Sequence, residues 1–270
     1  MERDVLGLGV IWCMSRSTES SRQVVDALRA RLRRFEGKRV ADATPPISSG
    51  CQELDRLLPT NGFPRGSLIE CLGHGPHACG AGMFAMIVAR QAAAEGGVIV
   101  VLDSQHRFYP PAAAVLGVDL EEVVVVRARR RHDQLWALDQ ALRCPAVAAV
   151  WAPLEQLDER DFRRLQLAVE EGGGVGLLVR SQRARNQPSW SDIRFWIEPR
   201  VVDSRQLGVG RRLRIEVSRC RRGGGGGVLD VEIGEATGIM RHVSSDDETS
   251  TLHPVSQLAH PAAGGRSARA

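Results

Sequence analysis

The residues whose types and spacing come nearest to a chemical site lie in one run, GHGPHACGAG, at positions 73–82. Gly75 and Gly80 have the spacing of a phosphate-binding turn of the Walker A kind, in which a lysine and then a serine or threonine follow the last glycine. Such a turn cradles phosphates with backbone N–H groups, reaches the β and γ oxygens with the lysine, and holds Mg²⁺ with the hydroxyl. Here the two following residues are Ala81 and Gly82, and no lysine comes after Lys38. An arginine brings charge, but its planar fork does not suit so tight a turn. Two readings stay open: a nucleotide turn that has lost its chemistry, with the helix N-terminus still attractive to an anion, or glycines that only let the chain turn. The same region carries Cys71, His74, His77 and Cys79, soft ligands that invite zinc. Cys71 falls inside the expected strand and the spacings are not those of a zinc knuckle, so no metal and no cofactor is expected.

The elements around the turn follow from periodicity. A strand is expected over 66–72 and a helix from about 82 to 95. Further strands are expected over 96–103, 121–128, 146–153 and 174–181, with helices over 132–143 and 158–172 between them. Leu135, Leu138 and Leu142 line the first of these helices, and Phe162, Leu165 and Val169 the second. Strands alternating with helices predict an α/β fold with a parallel sheet and right-handed crossovers. After this the pattern changes: IRFWIEP, RRLRIEVSR and GVLDVEIG alternate behind turns without helices, which predicts a small antiparallel extension. Ahead of the core, residues 19–36 read as a helix with Val24, Val25, Leu28, Leu32 and Phe35 on one stripe, and Pro45 and Pro46 mark a linker. The expected division is a helical segment and linker over 1–45, a core over 46–200, antiparallel strands over 201–240 and a polar, disordered tail over 241–270.

Composition bounds the function. The 270 residues carry a formal charge of +4, with 43% hydrophobic and 25% charged residues, an ordinary globular balance that permits an acidic or nucleic-acid partner without demanding one. Nothing approaches a membrane span, and the apolar opening is broken by Gly7 and Gly9, so no leader is read there. The six cysteines are scattered and read as free thiols of a cytoplasmic protein. Basic residues cluster in RARRRH (127–132), in RSQRARNQ (180–187), and at Arg211, Arg212, Arg214, Arg219, Arg221 and Arg222. Each cluster is either solvated surface or a contact for phosphate backbone. Arg180, Arg183 and Arg185, with Trp190 placed to stack on a base, are the candidate nucleic-acid contacts. Trp196 alternates with Phe195 and reads equally as core.

Over roughly residues 47 to 181 the chain resembles the RecA recombinases. Ile47, Ser48, Gly50, Leu54, Asp55, Gly62, Pro64, Gly66, Gly75, Pro76 and Gly80 match that family's lead-in and turn, and LGVDLEEVVVV at 116–126 matches its next segment. The functional positions depart from it. Ala81 and Gly82 stand at the Walker lysine and threonine, Gln105 at the catalytic glutamate, and Trp151 at or beside the Walker B aspartate. Glutamine is no general base, and tryptophan organises no Mg²⁺. The segments LWALDQALR (135–143) and PAVAAVWAPLEQLDERDFRRLQLAVEEG (145–172) are similar to the ImuA family, RecA/SulA-like accessory proteins of bacterial mutagenesis cassettes.

This resemblance implies a RecA-like P-loop core with a largely parallel sheet, an N-terminal helix and C-terminal antiparallel strands. It implies no enzymatic activity and a role in SOS-type, damage-induced translesion DNA synthesis. The implied partners are an ImuB-like Y-family polymerase homologue, an error-prone polymerase and RecA, with weak non-specific DNA binding beside them. The stripe of Val24, Leu28, Leu32 and Phe35 is the candidate partner-binding surface, although it suits docking on its own core as well. A RecA-like protein that keeps residual nucleotide and DNA binding, and a SulA-like inhibitor of cell division, are the alternatives. Localisation is expected to be cytoplasmic, with association to the nucleoid open.

Overall fold

The structure, a computed structural model, describes residues 45–75, 78, 80–200, 210–221, 223, 225–234 and 237–243. The described residues form one nine-stranded sheet in the order β3-β2-β4-β5-β1-β6-β7-β8-β9. Its strands are β1 (Ser67–Gly73), β2 (Val98–Leu102), β3 (Val123–Val126), β4 (Val147–Pro153), β5 (Val175–Ser181), β6 (Ile193–Arg200), β7 (Arg211–Cys220), β8 (Gly227–Ile233) and β9 (Met240–His242). The helices are α1 (Gln52–Arg56), α2 (Ala81–Ala93), α3 (Pro110–Val115), α4 (Arg131–Arg143) and α5 (Glu159–Gly172).

β1 and β5 are buried along their whole length, as their mainly apolar runs require when both faces of a sheet are covered, and each also buries one charged residue, Glu70 and Arg180. On one face lies α2, the most apolar helix, with Phe84, Ile87 and Val88 fully buried. On the other lie α4 and α5, whose Leu138, Leu142, Phe162, Leu165 and Val169 pack against Leu68, Val150 and Leu178. Asp139 of α4 is buried and ion-paired to Arg143 and to Arg164 of α5, so a charge cluster joins these two helices.

β6 departs from the expected antiparallel extension. It pairs parallel with β1 on one side and antiparallel with β7 on the other, so it joins the two halves of the sheet. β7 and β8 send Leu213, Ile215, Val217, Leu229, Val231 and Ile233 into the same core as α2. Their outer face carries Arg212 opposite Glu232 and Arg214 opposite Asp230, both as ion pairs. The third basic cluster is therefore partly neutralised within the sheet. β9 pairs with β8 as far as His242, which extends the sheet into the stretch expected to be polar tail. The short helix α3, started by Pro110 and Pro111, has no apolar period and was not expected.

Glu70 of β1 is fully buried on the α5 side of the sheet. It accepts from Arg180 of β5 at 2.5 Å, from Arg194 of β6 at 2.9 Å, and from the Ser189 and Ser191 hydroxyls. Burial alone raises a carboxyl, but the Ser189 hydrogen bond and the two guanidiniums override it and hold Glu70 below the usual carboxylate range. Asp139 is lowered likewise, its burial outweighed by Arg164 and Arg143. Stabilisation from both groups is complete above the unfolded carboxylate pKa and is lost as pH falls through the lowered folded values. Acid unfolding is thus expected to set in below about pH 4. Glu70→Gln should lower stability at neutral pH and flatten that acid limb, read from urea unfolding across pH. Arg180→Ala should cost about 3 kcal/mol in the same assay, because it removes one partner of a buried pair.

Candidate functional site

The glycine turn joins β1 to α2, the placement expected of a phosphate turn. Three of its described N–H groups are committed to the protein itself. The His74 N–H donates to the Ile197 carbonyl at 3.0 Å, Gly75 N–H to Gln182 Oε1 at 3.2 Å, and Ala81 N–H to the Ala78 carbonyl at 3.1 Å. The chain folds back so closely that a Cβ on Gly73 would lie 2.2 Å from the Ala78 backbone. Gly80 caps α2 at φ +79°, and a Cβ there would meet Leu213 of β7 at 2.7 Å. Ala81, at the position of the Walker lysine, is fully buried in the core.

Gly82 and Trp151 stand together. The indole Nε1–H of Trp151 donates to the Gly82 carbonyl at 3.1 Å, and a Cβ on Gly82 would lie 3.4 Å from the indole edge. Gly82 and Trp151 are thus in direct contact, and the indole presents an apolar surface there. Gln105 is exposed on the loop after β2. That loop is organised by a residue the sequence reading passed over. The buried Asp103 accepts from the N–H groups of Arg107 and Phe108 at 2.7 and 3.1 Å, and Arg127 lies 3.4 Å from its other oxygen. An aspartate at a strand end followed by Phe108, Tyr109 and two prolines was the available signal.

Between this loop, the first turns of α2 and the ends of β7 and β8 lies a cavity of about 650 Å³. Trp151 and Phe108, with ring centroids 6.3 Å apart, form part of its wall. Of the four soft ligands weighed for zinc, only Cys71 and His74 are among the described residues. Cys71 is buried in β1 and burial pushes its thiol up, while His77 and Cys79 lie outside the described residues. Among the described residues no group of three or more His, Cys, Asp or Glu could hold a metal ion.

The candidate nucleic-acid contacts divide. Arg180 is corrected: it is fully buried, held by Glu70, the Glu155 carbonyl and Gln187, with its guanidinium over the Phe162 ring, and is not offered to a phosphate. Arg183, Arg185 and Trp190 are exposed. Arg185 lies over the Trp196 ring at 4.3 Å, and Trp196 itself is buried against Leu72 and Ala184. The fold adds Arg219 to this surface, since its guanidinium donates to the Ser189 carbonyl beside Trp190. In the 127–132 cluster, Arg127 and Arg131 are paired with Asp103 and Asp161. The stripe of Val24, Leu28, Leu32 and Phe35 lies outside the described residues. Among the described residues, no helix is long and apolar enough to cross a membrane.

Comparison with known proteins agrees with this geometry. The model of the RecA N-terminal domain matches residues 32–151. Protein ImuA of Caulobacter vibrioides is 31% identical over 200 residues, which span 68% of this chain and 82% of that protein. Protein RecA of Desulforapulum autotrophicum is 30% identical over 141 residues, which span 50% of this chain and 40% of that RecA. The crystal structure of the RadB recombinase is covered over its whole length by 73% of this chain, at a TM-score of 0.53 and 15% identity, a likeness of fold. At 31% identity, the match across 82% of its Caulobacter relative shows that the chain belongs to the ImuA family.

Proposed function

We propose that this chain is a non-catalytic accessory protein of damage-induced translesion DNA synthesis, and that it acts by binding proteins: an ImuB-like Y-family polymerase homologue first, then an error-prone polymerase and RecA. The observation that carries the reading is the Trp151–Gly82 contact beside the buried Ala81. Phosphoryl transfer needs a cation on the phosphates, a metal and a positioned base, and these positions supply an apolar surface. A RecA-like fold without hydrolysis keeps its surfaces for partners, in the cytoplasm or at the nucleoid.

The purified full chain is expected to release no phosphate from ATP, with or without single-stranded DNA. DNA-stimulated release above a no-protein control would refute this. Ala81→Lys with Gly82→Thr should not create turnover. It should instead lower stability by about 2 kcal/mol or more, because a lysine replaces a fully buried methyl group and the threonine γ atoms crowd Trp151. Co-purification with the three partners tests the accessory reading directly, repeated after deletion of residues 1–45 and of residues 241–270. Loss of the complex with the first deletion alone would place the interface on the N-terminal stripe.

Weak DNA binding is a second reading, favoured by the exposure of Arg183, Arg185 and Trp190 and by Arg219, whose guanidinium reaches the Ser189 carbonyl. Such binding should be sequence-independent and lost at moderate salt. Arg183→Ala with Arg185→Ala should weaken it and reduce the salt slope by about 2. Anisotropy titrations with equal affinity at low and high salt would rule out an electrostatic mode.

A further inference from the structure

The cavity beside the glycine turn has a size suited to a ligand, about 650 Å³. Its chemistry is not that of a phosphate site. Met83, Met86, Phe108, Leu116 and Trp151 make its walls mainly apolar, and Trp151 has spent its N–H on Gly82. Among the described residues, the charged ones that line it are Arg107 and Arg211, with no carboxylate beside them. Both arginines are exposed, and among the described residues neither is held in an ion pair. Apolar walls with free positive charge at the mouth select an occupant with an apolar body and a negative group beside it. The lining is also set in advance, since Asp103 fixes the backbone that carries Arg107 and Phe108.

The rim separates a small molecule from a chain. Tyr109 is 66% exposed and Val115 52% exposed, and both belong to the cavity lining. Single exposed apolar residues are ordinary, but these continue the apolar wall outward onto α3. A small molecule inside the chamber would leave them in water, whereas residues flanking an inserted side chain would cover them. We propose that the cavity receives one bulky apolar side chain from an extended segment of a protein partner, and that a carboxylate next to that side chain pairs with Arg107 and Arg211. The proposal rests on the accessory reading above and gives it a surface on the core.

The full chain is panned against a phage-displayed random-peptide library, with Ala112→Trp as the filled-cavity control. Ala112 lines the cavity from an exposed position of α3, so the added indole takes up its space without entering the core. The recovered peptides should share a Leu, Phe or Trp beside an Asp or Glu. They should bind the filled variant at least about tenfold more weakly than wild type. Arg107→Glu with Arg211→Glu, two surface changes, should also weaken them about tenfold. Failure to recover any peptide, peptides without an acid, or equal binding to wild type and Ala112→Trp would overturn the proposal. Co-purification with the ImuB-like partner is run on the same proteins. A partner held equally by wild type and both variants would sink the cavity as the docking site and leave the accessory reading standing. A partner that wild type does not hold would sink the accessory reading itself.

Discussion

The buried carboxylate of Glu70 is the constraint on which the organisation of this sheet turns. An ionised group with no exposed surface is costly unless its lone pairs are filled. Glu70 fills them from two neighbouring strands at once, Arg180 of β5 and Arg194 of β6. Each guanidinium then reaches onward. Arg194 donates to the carbonyls of Ala184, Arg185 and Gln187, and Arg180 to the Glu155 carbonyl and the Gln187 side chain. One buried charge thereby fixes the loop from β5 to β6, which has little apolar content of its own. The exposed places of Arg185 and Trp190 are consequences of that fixing.

The position of β6 has further effects. Because it pairs parallel with β1, the antiparallel strands that follow are not a separate appendage but continue the sheet beyond the glycine turn. Leu213 of β7 then packs against the space beside Gly80, and Arg211 and Ile233 close one side of the cavity. A part of the chain with no role in the strand–turn–helix motif thus decides what surrounds it. The turn meets Ile197 of β6 and Leu213 of β7, and Trp151 meets Gly82 at the start of α2.

Much of this was legible in the sequence. Strands β1 to β5 and helices α2, α4 and α5 follow from runs and periods strong enough to need no tertiary help, and the inward residues Leu138, Leu142, Phe162, Leu165 and Val169 were read correctly. The absence of a lysine and a hydroxyl after Gly80 is a fact of the sequence, at Ala81 and Gly82. Three things could not be read there. Arg180 looked like one more member of a basic cluster, because the cluster is local and its partner Glu70 lies 110 residues away. β6 showed the alternation of an antiparallel strand, and nothing in a single strand says that one of its neighbours runs parallel. The cavity has no motif, since its walls come from α2, α3, β4, β7 and β8, each of which reads as ordinary core or loop.

The conformation of the glycine turn has a physical reason independent of any ligand. If the glycines served only a phosphate, their backbone conformations would have no purpose once the lysine and hydroxyl were absent. Gly75 and Gly80 both have φ near +76° to +79°, a region that L side chains seldom adopt, and Gly80 also has Leu213 where a Cβ would stand. The connection from β1 to α2 needs these residues whatever the turn binds. Ala81 is under a different demand. It must be small because it is fully buried beneath the turn, whereas a Cβ on Gly82 would stand in ordinary contact with the Trp151 indole, 3.4 Å away. The same run therefore keeps its glycines for the fold, with the core closed around Ala81 and the indole of Trp151 bonded to the Gly82 carbonyl.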